Sequence, residues 1–231
     1  MFDKIATDWA RKRQKPWIPL VSLFDKWESC WREEYYQSIS KDDCMFIDLG
    51  AGTGRHSEYF LQFCSRLVDL DQSREMLQKN SAPSLKIQAH MDFLPLRNDK
   101  FDGVCSIAAL HHIKGKSNRI NVIHEIMRVG LSNALICITV WRFYQKKFLK
   151  EFIHQLEMDM IQELYHEIGD VVVPWTLSQN DQKIIIDRFY HLFRSVEFNR
   201  LVHPLLRLHK STMGNRGQKT NFYFIGVNPQ I

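Results

Sequence analysis

The stretch Met45-Phe-Ile-Asp-Leu-Gly-Ala-Gly-Thr-Gly-Arg55 decides the fold. Apolar residues on either side of Asp48 predict a short strand buried on both faces. Gly50, Gly52 and Gly54 follow, and Ser57, Tyr59, Phe60, Leu61 and Phe63 then open a helical pattern. Glycine lets a chain turn sharply and approach a ligand closely, and helix-start N–H groups attract polar atoms. A strand, a glycine turn and a helix in that order therefore seat nucleotides in α/β proteins. The G-x-G-x-G spacing is not the G-x-G-x-x-G of dinucleotide binders, and no Lys-Ser/Thr follows to make a P-loop.

Outward from this turn, Arg66 to Asp71 reads as a second strand ending in acid. A carboxylate at that tip is placed to accept hydrogen bonds from both ribose hydroxyls of a nucleotide. Asp69 competes for the role, but Asp71-Gln-Ser73 also suits a helix start with Ser73 as cap, which favours Asp71. Ser84 to Ala89 alternates as a third strand, and Lys86 marks it as an edge. Phe101 to His112 holds a fourth strand and its exit loop, Ile120 to Met127 has helical spacing, and Ala134 to Trp141 is a fully apolar fifth strand. Strands alternating with helices imply a parallel sheet. Upstream, Leu23, Phe24, Trp27, Trp31 and Tyr35 form a helical stripe expected to pack on that sheet. Downstream, a long helical stretch runs to Ile168, Asp170 to Trp175 is apolar but broken by proline, and Arg188 to Arg194 mixes aromatics with bases. Ser195 to Val202 suits a short helix capped by Ser195, and Leu205 to Met213 with Asn221 to Val227 suits a closing antiparallel hairpin.

With 231 residues, 45% apolar and 25% charged, the chain fits one large globular domain. No run approaches a membrane span and no charged-then-apolar leader opens it. The five scattered cysteines read as reduced core residues without zinc spacing, as expected in the cytoplasm or nucleus. The net charge of +5 is modest, yet bases cluster at Arg11 to Lys15, Arg142 to Lys150 and Arg200 to Lys219. Interleaved with aromatics, such clusters suit single-stranded RNA, where bases stack and phosphates need cations.

The arrangement D-x-G-x-G-x-G from Asp48 to Gly54 resembles the first motif of class I S-adenosylmethionine-dependent methyltransferases. The resemblance implies a Rossmann-like α/β fold. Its sheet would be mostly parallel and seven-stranded, with helices on both faces and a substrate-lid insertion before the last two strands. Residues 1–40 would then form an N-terminal helical cap, 41–141 the cofactor core, 142–194 the lid, and 195–231 the C-terminal helix and hairpin. S-adenosyl-L-methionine is the implied cofactor. Its implied binding residues are Asp48, Gly50, Ala51, Gly52 and Gly54 at the turn, Asp71 on the ribose, Asp92 and Phe93 on adenine, and Ile107. Arg13, in a segment that folds over the cofactor in such enzymes, is the candidate partner of the methionine carboxylate. His111 and His112 fall at the switch point between the first and fourth strands, where an acceptor would arrive.

Two chemistries are disfavoured. No [DN]-P-P-[YFW] follows the fourth strand for amine methylation, and no Pro-Cys pair supports covalent attack on a pyrimidine. Phe2-Asp-x-Ile-Ala6, Arg13-x-Lys-Pro-Trp17, Ser106 to His112, Val140-Trp141, Asp170-Val-x-Val-Pro-Trp175 and Arg188-Phe-Tyr-His-Leu-Phe193 occur in order. Together they resemble the eukaryotic tRNA wobble-uridine methyltransferases, which esterify 5-carboxymethyluridine. The chain departs from that family at Ala51 and Thr53, at Arg55, and in its last 25 residues. The resemblance implies the tRNA anticodon loop as substrate. His111 or His112 would orient the acceptor carboxylate, with Arg194 or Arg142 nearby and Trp175 or Tyr190 stacking on the uracil. It also implies a heterodimer with a small zinc-binding activator protein at the Ser84 to Ala89 edge. Alternative functions on the same core are a small-molecule O- or C-methyltransferase and a catalytically silent RNA-binding relative.

Overall fold

The computed structural model describes residues 1–37, 40–145, 148–162, 167–179, 182–213 and 219–229. Lys146, Lys147 and Arg216 of the basic clusters lie outside them. In chain order come α1 (Ala6–Lys12), α2 (Ile18–Tyr35), β1 (Met45–Leu49), α3 (Ser57–Phe60), β2 (Arg66–Asp71), α4 (Arg74–Gln78), β3 (Leu85–Gln88) and β4 (Phe101–Ile107). Then follow α5 (Lys116–Val129), β5 (Gly130–Trp141), α6 (Leu149–Gln162), β6 (Asp170–Gln179), β7 (Gln182–His191), α7 (Ser195–Leu201), β8 (Leu206–Met213) and β9 (Asn221–Val227).

Seven strands form one sheet in the order β3-β2-β1-β4-β5-β9-β8. The first five are parallel, while β9 runs antiparallel to both β5 and β8. The expected closing hairpin is therefore present, and β3 is the expected edge. The central strands carry apolar residues on both faces because helices cover both faces. Val122, Ile123 and Ile126 of α5 and Phe198 of α7 pack on one side with Ile47, Val104 and Phe224. Leu20, Phe24 and Trp31 of α2 pack on the other with Phe46, Cys137 and Tyr223. The sheet order reverses direction between β1 and β4, so their carboxyl ends open a crevice.

Two local expectations change. α7 is entered through Arg194 with no side-chain cap, so Ser195 is its first residue rather than its cap. The segment read as broken by Pro174 is a continuous strand, because β6 and β7 form a separate two-stranded antiparallel sheet. Each strand of such a ribbon has a free edge, so a missing N–H is tolerated there.

The root of this hairpin is charged. His191 Nδ1 meets Asp170 Oδ1 at 2.6 Å, and its Nε2 meets Glu197 Oε1 of α7 at 2.7 Å. Buried Arg119 of α5 pairs with Glu167 and lies 3.7 Å from Glu197. Burial pulls the His191 pKa down, but the two carboxylates outweigh it and the net shift is upward. A raised histidine contributes stability that is complete below its unfolded value of about 6.5 and is lost as pH rises through its folded value. The melting temperature of the wild type should therefore fall on going from pH 6 to alkaline pH. His191→Gln should lower stability at pH 6 and flatten that slope, measured by thermal melts.

Candidate active site

The crevice at the carboxyl ends of β1 and β4 is a cleft of about 870 Å³ including its mouth. Its floor is the glycine turn. Gly50 (φ +80°) and Gly52 (φ +59°) are left-handed, which side chains adopt only with strain. A Cβ on Gly50 would sit 2.3 Å from Ala109 Cβ, whereas one on Gly52 would meet nothing within 4 Å. Gly50 thus permits close packing, and Gly52 leaves open a cradle that a side chain would fill. Gly54 does not line the cleft; its Cα lies against Asn80, where a Cβ would collide at 2.0 Å. α3 begins only at Ser57 and is four residues long, so the ligand-facing backbone is the glycine loop rather than a helix end.

Asp71 stands at the tip of β2 and lines the cleft. Its Oδ2 accepts from Gly52 N–H at 2.9 Å and its Oδ1 from Ser73 N–H at 2.8 Å. Burial raises its pKa and these two N–H groups oppose the rise. Each oxygen keeps a further lone pair for a ligand hydroxyl. Ser73 also caps α4 by accepting from Met76 N–H, as expected. Asp69, its competitor, is fully buried and accepts from Ser57, Asn80 and Ser84. It braces the core. Asp48 is buried beneath the turn and does not line the cleft; burial, then Asp69 and Asp71, push its carboxyl well above the usual range.

Beyond Asp71 the cleft is enclosed by Met76, Ala89, Met91, Ile107 and Ala108. Asp92 and Phe93 are not among its lining residues, and Phe93 is 82% exposed. Ala108 holds φ +54°, a strained conformation with no glycine to announce it. From the N-terminus, Phe2 and Trp9 close over the opening. Asp3 fixes this segment by accepting from Ser73 Oγ at 2.6 Å. Arg55 also lines the cleft, where its Nε donates to the Lys15 carbonyl at 2.6 Å. Burial and the charge of Arg13 lower its pKa to about 10. Arg13 itself lies over the Trp9 ring, 5.4 Å from its centroid.

The paired histidines divide. His112 lines the cleft, and its Nδ1 lies 3.0 Å from the Phe189 carbonyl. A carbonyl only accepts, so Nδ1 carries the proton and Nε2 is left as an acceptor. Burial, with Arg188 nearby, lowers the His112 pKa to about 4, so the ring is neutral at physiological pH. In this state its remaining ring nitrogen is not the donor that orienting a carboxylate requires. His111 is buried behind it, accepting from Trp141 N–H at 3.2 Å.

The other expected acceptor residues are spread apart. Tyr190 is fully buried and stacked on Trp141 at 4.3 Å, so its ring supports His112 rather than offering a face to a base. Trp175 donates to Asp8 at 2.9 Å and is flanked by Trp9, Lys12 and Arg188. Arg142 donates to the Lys219 carbonyl and lies over Phe222, and Arg194 lines a different groove. The group that sequence reasoning missed is Arg188. It is 5% exposed, lies 4.6 Å from the Trp175 centroid and 5.9 Å from that of Trp9, and donates to Tyr190 Oη. It has no carboxylate partner among the described residues, and its Nε has no hydrogen-bond partner there. Burial draws its pKa down. A buried guanidinium without a counter-ion is costly unless an anion joins it.

Residues 47–138 match the family described as methyltransferase domain. The tRNA (carboxymethyluridine(34)-5-O)-methyltransferase of Schizosaccharomyces pombe is 24% identical over 218 residues, covering 87% of this chain and 84% of that protein. The probable tRNA methyltransferase 9B of Bos taurus is 26% identical over 66% of this chain, which spans only 30% of that protein's length. Among solved structures, an S-adenosylmethionine-dependent methyltransferase of Methanosarcina mazei superposes with TM-score 0.66 at 16% identity, covering 85% of this chain and 97% of its own. A Haloferax volcanii methyltransferase solved in complex with the Trm112 methyltransferase activator superposes with TM-score 0.56 at 14% identity, covering 90% and 96%. The open cradle at Gly52 and the half-used carboxylate of Asp71 fit the cofactor such enzymes share. The chain therefore has the Rossmann-like methyltransferase fold, residues 47–138 of it match the methyltransferase domain, and S-adenosylmethionine is its cofactor.

Proposed function

We propose that this protein methylates the carboxylate of 5-carboxymethyluridine at the wobble position of tRNA, forming the methyl ester. The observation that carries the reading is Arg188, a buried cation beside the cleft-lining His112 with no counter-ion among the described residues. Such a group selects an acceptor that is itself an anion. The reaction named for the Schizosaccharomyces pombe relative has an acceptor of that kind.

The cleft residues divide the work. Gly50, Ala51 and Gly52 would bring backbone against the cofactor, Asp71 would take its ribose hydroxyls, and Ile107 and Met91 would cover its adenine. Arg13 and Arg55 would hold its carboxylate. When bound, S-adenosylmethionine supplies a methyl group on a positively charged sulfur. The acceptor carboxyl, with a reference pKa near ~4, is already ionised at neutral pH. An oxygen–carbon bond forms as the carbon–sulfur bond breaks, the electron pair stays on sulfur, and no proton moves. The site therefore needs alignment rather than a general base, and alignment contributes on the order of 7–11 kcal/mol. Arg188 would orient the acceptor, and neutral His112 would shape the cleft without neutralising it. The hairpin of β6 and β7, which carries Arg188, would act as the substrate lid. The test is a pair of anticodon-loop RNAs bearing a wobble uridine with either a carboxymethyl or a carbamoylmethyl group. Methylation of the first alone supports the reading, and equal methylation of both contradicts it.

The β3 edge is the proposed seat of a small zinc-binding activator. Leu85 there is 63% exposed on a strand with no neighbour on its outer side among the described residues. A bare edge strand with an apolar side chain is a template for another chain. Leu85→Arg should abolish co-purification with such a partner and reduce turnover while leaving cofactor affinity unchanged.

A further inference from the structure

A second concavity lies between α5 and α7, about 1570 Å³ including its open mouth. Its cations are Lys116, Arg194 and Arg200, and its apolar wall includes Ile120, Ile168 and Val196. Arg119, Glu167 and Glu197 also line it, and the two carboxylates are taken up by Arg119 and, for Glu197, by His191 as well. Lys116, Arg194 and Arg200 have no carboxylate partner among the described residues. Tyr144 also lines it and is 73% exposed.

The groove continues the active-site face. Ile113 lines the cofactor cleft and Lys116, three residues on, lines the groove. The Phe189 carbonyl holds cleft-lining His112, and Phe193 on the far side of the hairpin root lines the groove. A strand whose one nucleotide enters the cleft would pass next over these residues. Free cations, an exposed ring and apolar wall suit phosphates, a base and ribose in turn. The geometry points to a second RNA subsite in this groove, which seats the nucleotides flanking the one that is methylated. This rests on the tRNA reading above.

The test is binding of the carboxymethylated anticodon-loop RNA across a salt series by wild type and by Lys116→Glu/Arg200→Glu. The double variant should lose roughly tenfold or more in affinity, and its salt slope should shrink by about one to two. Its affinity for S-adenosylmethionine and its turnover of the free nucleoside should be unchanged. Lys116→Gln/Arg200→Gln should show the same reduced slope with a smaller loss. Wild-type affinity and slope in variants that bind the cofactor normally would overturn the groove alone. Unchanged RNA binding with lost binding of poly-glutamate would overturn it in favour of an acidic protein. A wild type that does not bind the RNA would instead overturn the tRNA reading itself.

Discussion

Arg188→Ala is expected to lower methyl transfer to the carboxylate acceptor by about 100- to 1,000-fold, with cofactor affinity within about twofold of wild type. Removing one member of a buried, hydrogen-bonded charge pair costs on the order of 2–5 kcal/mol, and each 1.4 kcal/mol is tenfold. The loss should appear at the acceptor because Arg188 lies among Trp9, Trp175 and Tyr190 and does not line the cofactor cleft. Arg188→Lys should fall between, since it keeps charge but loses the planar fork that meets a carboxylate with two donors. Steady-state rates at saturating cofactor, set beside calorimetric cofactor binding, separate the two effects. A loss that follows cofactor affinity would remove Arg188 from acceptor recognition.

Gly50→Ala and Gly52→Ala should fail in different ways. At Gly50 the new methyl would lie 2.3 Å from Ala109 Cβ and 3.0 Å from Met91 Cε, on a backbone with φ +80°. Left-handed strain and overpacking together should cost about 2–5 kcal/mol, a large part of a typical 5–15 kcal/mol stability. At Gly52 the methyl meets no protein atom within 4 Å, so only the strain of φ +59°, about 1–2 kcal/mol, bears on stability. The same methyl fills the cradle, and cofactor affinity should drop more than tenfold. Thermal melts without cofactor rank Gly50→Ala as the less stable, and cofactor titration of Gly52→Ala at low temperature reads the second effect.

The glycine-turn wall of the cleft is legible in the sequence because its signals are local, whereas Asp92 and Phe93, expected on adenine, do not line the cleft. Asp48 to Gly54 announces its own turn, and Asp71 was separable from Asp69 by the helix start that follows it. The proposed acceptor half is assembled from distant positions. Trp9 and Trp175 meet around Arg188, which in sequence was one more base in an aromatic, basic stretch. Its lack of a counter-ion among the described residues is a property of the packed hairpin, not of any window of residues. Pro174 hid the strand that carries Trp175, because a proline signals a break unless the strand has a free edge. Ala108 shows the same limit on a smaller scale, as no glycine marked its left-handed backbone.

The most direct test is transfer of a labelled methyl group from S-adenosylmethionine to tRNA carrying 5-carboxymethyluridine at the wobble position, followed by mild base. Label is expected on that nucleoside, released as methanol by the base, because a methyl ester hydrolyses and a methylated carbon, nitrogen or ether does not. Base-stable label, or no transfer from protein that binds the cofactor with the activator present, would contradict it.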